Sequence, residues 1–137
     1  AFTITQILDN NTKATMQMEV IQDTTNSGFW LNKDALGAAA ITTGENAGFP
    51  LSLGHVDQDD NQHLIIYSIS EDELIRSAYQ NDDLISKMII ADHVDINENR
   101  TNCFLEGNTL TVKITSTVSD ASETRIYKIT SRIDQTE

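Results

Sequence analysis

Residues 1–28, AFTITQILDNNTKATMQMEVIQDTTNSG, decide how the rest of the chain must fold. Ile4, Ile7, Ala14, Met18 and Ile21 recur at three- and four-residue spacing with only Asn11 breaking the stripe, and Leu8 and Val20 widen it. That spacing predicts one long amphipathic helix over about residues 3–27. Thr3-x-x-Gln6 reads as a capping box, and Gly28 reads as the C-terminal stop. Thr5, Asn10, Asn11, Thr12, Thr24 and Thr25 are mediocre helix formers, so packing of the stripe has to supply most of the stability. A helix of this kind needs a sheet to lean on, with Met18, Ile21 and the following Trp30 as the expected core anchors.

Downstream, residues 28–61 carry every glycine except Gly107, together with the single proline, and read as a long irregular connection. Residues 63–70 (HLIIYSIS) are strand-like with both faces apolar, Glu71 and Asp72 turn, and residues 73–80 return as a second strand. Residues 84–94 fit either a short helix or a strand, and a short strand is expected. Residues 101–106, the Gly107-Asn108 turn and residues 109–118 form a hairpin, and residues 123–133 close the chain. The expectation is a single α+β domain over residues 1–137, with one long N-terminal amphipathic helix packed on an antiparallel sheet of four or five strands at about residues 62–133.

Composition narrows the function classes. A net charge of -12, from 9 basic and 21 acidic residues, repels phosphate backbones, so no nucleic-acid partner is expected. Cys103 is solitary and excludes an internal disulfide or a cysteine metal site. His55, His63 and His93 are scattered in sequence, no nucleophile motif such as GxSxG occurs, and no enzyme is expected. Two acidic stretches offer oxygen donors at alternating positions: Asp57, Asp59 and Asn61, and then Asp95, Asn97, Asn99 and Glu106. Each is a weak Ca²⁺ candidate. The first lacks the central glycine and distal glutamate of an EF-hand, and the second has Arg100 where the sharp turn wants glycine. Solvated turns explain both, and no resident cofactor is expected.

Three stretches resemble the type IV pilin-like family, most of all its minor pilins and pseudopilins of the W/J class: residues 16–31 (MQMEVIQDTTNSGFWL), residues 63–80 (HLIIYSISEDELIRSAYQ) and the closing run 123–133 (ETRIYKITSRI). The resemblance implies a structural filament subunit acting in assembly priming, tip formation or adhesion, in a type IV pilus or a type II secretion-like system. It implies extracellular or periplasmic placement, other pilin or pseudopilin subunits as partners, and a membrane-held state before assembly through an apolar half-helix upstream of Ala1. Phe2, Ile4, Ile7 and Leu8 are then the expected filament contacts. No paired C-terminal cysteines are present, unlike many major pilins. The competing expectation is a secreted binding module of the cell surface, Ca²⁺-dependent through one of the acidic turns.

Overall fold

The computed structural model describes residues 4–130, with side chains from residue 13 onward. One helix, α1 (Ile4–Leu36), precedes eight strands: β1 (Ala40–Gly44), β2 (Gly48–Val56), β3 (Gln62–Ser70), β4 (Glu73–Gln80), β5 (Asp83–Ala91), β6 (Asn102–Glu106), β7 (Thr109–Val118) and β8 (Ala121–Thr130). The strands make two antiparallel meanders, a five-stranded sheet in the order β1-β2-β3-β4-β5 and a three-stranded sheet in the order β6-β7-β8. The expected single sheet is therefore wrong, and the protein is mostly β. No helix among the described residues is long and apolar enough to cross a membrane.

The glycines before β3 play parts other than the expected ones. Gly28 does not stop the helix; it lies inside α1, where a Cβ would collide with the Tyr127 ring. The glycine is there because helix and β8 approach too closely for any side chain. The glycines beyond it do not mark an irregular connection either. Gly44 and Gly48 flank the β1–β2 hairpin, and Phe49, Leu51 and Leu53 alternate inward along β2 as a half-buried strand must. Residues 84–94 form a strand that ends at Ala91, and Val94 instead makes an isolated bridge to Ser116.

Register explains how the first sheet is filled. Leu51, Tyr67, Arg76 and Met88 are successive partners across β2, β3, β4 and β5, and Leu53, Ile65, Ala78 and Ser86 form the next row. Both rows face inward. In the second sheet Leu110, Val112 and Ile114 of β7 are fully buried, opposite Ile129, Tyr127 and Arg125 of β8. The C-terminal half of α1 lies against β5, β7 and β8, and Leu31 and Ala35 join the core shared by both sheets. The sheets are also stitched directly: the Asp95 amide donates to the Thr115 carbonyl (2.9 Å), and the Cys103 amide donates to the Ala47 carbonyl (2.9 Å).

Gly28→Ala is expected to destabilise the protein by about 1–3 kcal/mol through overpacking. The Tyr127 ring cannot step aside freely, because its hydroxyl donates to the Thr24 carbonyl (2.7 Å). Urea unfolding of Gly28→Ala alone and combined with Tyr127→Ala checks the cause, since removing the ring should relieve the alanine's penalty.

Candidate functional site

At about 1.5 Å per residue, the 33 residues of α1 span roughly 50 Å. Its second half is covered. Between residues 13 and 19 no residue is buried, whereas Val20, Thr24, Ser27, Leu31 and Ala35 are buried at helical spacing. This inner face mixes apolar Val20, Leu31 and Ala35 with polar Thr24 and Ser27. Thr24 and Ser27 are admitted because their hydroxyls bond back along the helix, to the Val20 carbonyl (3.0 Å) and the Asp23 carbonyl (2.8 Å).

Two polar anchors fix the rotation of α1. Near its C-terminus Asp34 accepts from both Nε (2.7 Å) and an Nη (3.0 Å) of Arg76, and the Tyr67 hydroxyl also donates to it. The Arg76 guanidinium stacks over the Trp30 ring at 4.5 Å. The hydrogen bond to Asp34 raises the Arg76 pKa, while burial and then the Asp34 charge raise that of the Tyr67 phenol. About three helical turns earlier, Asp23 accepts from Ser116 Oγ (2.8 Å) and the Asp92 amide (3.1 Å), and pairs with His93 (3.3 Å). Burial lowers the His93 pKa, but the Asp23 hydrogen bond and the Asp92, Asp23 and Glu19 charges outweigh it and leave it raised.

With the rotation so fixed, Ala14, Met18 and Ile21 of the apolar stripe point away from both sheets, while Val20 faces in. Met18 is 61% exposed, Ile21 37% and Phe29 63%. Met18 and Ile21 are thus corrected as core anchors: they lie on the outer face. Trp30 is half-buried against the core and sits within the helix rather than after it. Of the expected filament contacts, Phe2 and the side chains of Ile4, Ile7 and Leu8 lie outside the described residues. The outer face has one further property. From Lys13 to Lys33 its exposed residues include no carboxylate, in a chain with 21 of them.

The acidic turns have other work. Asp57 Oδ1 accepts from the amides of Asp59 (2.8 Å) and Asn61 (3.0 Å), its Oδ2 meets His63 Nε2 (2.8 Å), and the His63 bond foremost lowers its pKa to about 2. Asp95 caps the Asn97 amide (3.1 Å), Asn97 caps the Asn99 amide (2.9 Å), and Glu106 ends β6 at the hairpin. No group of three metal-ligating His, Cys, Asp or Glu side chains occurs among the described residues. The structure does bring together two histidines that sequence spacing keeps apart: His55 and His63 are register partners whose rings stack at 4.7 Å. Strand pairing alone, read as a β2–β3 hairpin, would have revealed them. The Cys103 thiol is buried beside the Gly48 carbonyl (3.1 Å), and burial pushes its pKa up to about 12, so it is no nucleophile.

One groove, of about 380 Å³, opens where the sheets meet and is lined by Phe49, Pro50, Ile69, Glu71 and Ile96 among others. It gathers no acid–base pair and no nucleophile. On the outer face of α1, Met18, Ile21 and Phe29 stand exposed. Compared with known proteins, the chain matches no family model, no characterised protein and no solved structure.

Proposed function

We propose that this chain is the globular part of a structural filament subunit, of the minor pilin or pseudopilin kind, and acts by helix packing rather than catalysis. The observation that carries the reading is the unpartnered outer stripe of α1. In an isolated domain an apolar stripe of this kind belongs on the inner face; here Met18, Ile21 and Phe29 are exposed, while polar Thr24 and Ser27 share the interior with Val20, Gly28, Leu31 and Ala35. In sequence the same spacing runs back through Ala14 to Ile7 and Ile4, into the half of α1 beyond the covered segment. An occupant that follows such a stripe lies along the helix axis, and a neighbouring helix does so without leaving backbone groups unpaired. Each side chain so buried contributes roughly 1.5–3 kcal/mol. The missing carboxylates on that face spare neighbouring acidic subunits a repulsion that the rest of the surface would impose. Other subunits are the partners on this reading, and the cell surface or periplasm is the setting.

Met18→Asp and Phe29→Asp test it. Each should shift the stability of the isolated chain by less than about 0.5 kcal/mol, as exposed sites do. In cells making the full-length gene product, each should deplete the protein from the sheared filament fraction while leaving it in the membrane fraction. Unchanged incorporation of both variants would remove the proposal's support, and so would absence of the wild-type protein from any sheared surface structure.

A further inference from the structure

A second surface departs from the chain's acidic character. On the outer face of the β6-β7-β8 sheet, Lys113 stands beside Ile126, Phe104 and Lys128 flank Thr111 in the adjacent row, and exposed Glu106 stands opposite Thr109 in the row beyond. Phe104 is 49% and Ile126 58% exposed. Lys113 Nζ donates to the Asn99 carbonyl (2.9 Å), and neither lysine pairs with a described carboxylate.

The complement lies at one end of the other sheet. There the β2–β3 and β4–β5 turns are locked side by side: the Asn81 amide donates to the Gln62 carbonyl (2.8 Å), the Gln62 amide to Asn81 Oδ1 (2.8 Å), and Asn81 Nδ2 to Asn61 Oδ1 (3.0 Å). This presents Asp59, Asp60, Asp82 and Asp83 together, all exposed and without a described basic partner. The strand ends supply exposed apolar surface beside them, in Val56, Leu84 and Ile85.

We infer that the outer face of the β6-β7-β8 sheet docks the acidic sheet end of a second copy of this chain. Each patch joins charged to exposed apolar side chains; the two lysines outnumber Glu106 on the first, and the second is acidic, so the two are opposite in net sign. A contact between two different patches is head-to-tail, and where its rotation does not close it builds an open row of subunits. The inference deepens the filament reading by naming a contact between globular domains, yet it needs nothing from α1.

Sedimentation velocity on the 137-residue chain tests it. Self-association should appear at about 10 mM salt and weaken at least about tenfold at about 1 M, where the screening length falls from roughly 30 to 3 Å. Lys113→Glu/Lys128→Glu and, separately, Asp59→Lys/Asp82→Lys should each be monomeric at low salt. An equimolar mixture of the two should associate again, because each variant then meets its complement. A wild-type chain monomeric at millimolar concentration in low salt overturns the inference. So does association that survives either pair of reversals, or a mixture that stays monomeric. Association lost in Met18→Asp but kept in both charge variants also overturns it and leaves the filament reading standing. Charge-swap rescue alongside normal filament incorporation of Met18→Asp and Phe29→Asp supports the sheet contact and sinks the helix one.

Discussion

Asp34→Ala should lower the unfolding free energy by about 3–5 kcal/mol, because it strands a buried guanidinium. The side chains of Arg76 and Asp34 are only 11% and 7% exposed, and Arg76 stands in the inner row between Tyr67 and Met88, where water cannot replace the lost carboxylate. Asp34 also takes the Tyr67 hydroxyl, so its removal leaves two buried donors without their acceptor. The cost comes from the orphaned partners more than from the pair's own worth, which sets a clear control. Asp34→Leu combined with Arg76→Met should be far less damaging than the sum of the single changes. Urea titrations at neutral pH check both, the midpoint falling with the slope unchanged. A loss below 1 kcal/mol for Asp34→Ala would mean that α1 is not tethered to the first sheet through this pair.

Gly48→Ala should cost roughly 2–6 kcal/mol, from positive-φ strain and overpacking together. Gly48 has φ of +95°, a region closed to residues bearing a Cβ, and a Cβ there would run into the Cys103 carbonyl. The obstacle is backbone, so no rotamer change relieves it, and the β1–β2 hairpin would have to leave β6, breaking the hydrogen bond from the Cys103 amide to the Ala47 carbonyl. Gly107 provides the comparison, with φ of +63° and open space where its Cβ would stand. Gly107→Ala should show backbone strain alone, about 1 kcal/mol. Equal losses at the two positions would show that the joint between the sheets tolerates movement.

The elements that sequence by itself determined are those whose signal is local. The helix, the β3–β4 hairpin and the β6–β7–β8 meander were legible because apolar alternation and turn residues such as Gly107-Asn108 act on neighbours in the chain. The apolar stripe of α1 was legible too, but not the direction it faces. A hydrophobic stripe reports which face prefers to leave water, and it cannot report whether this chain or another provides the cover. Only the tertiary structure decided that, by placing Asp23 against Ser116 and Asp34 against Arg76, so that Thr24, Ser27 and Gly28 turned inward and Met18 and Phe29 turned out. The same holds for Gly28 and Gly48, which read as stops and loops because a close approach between distant segments leaves no trace in local composition. Splitting the strands into two sheets was likewise a matter of long-range pairing, for which neither periodicity nor propensity carries information.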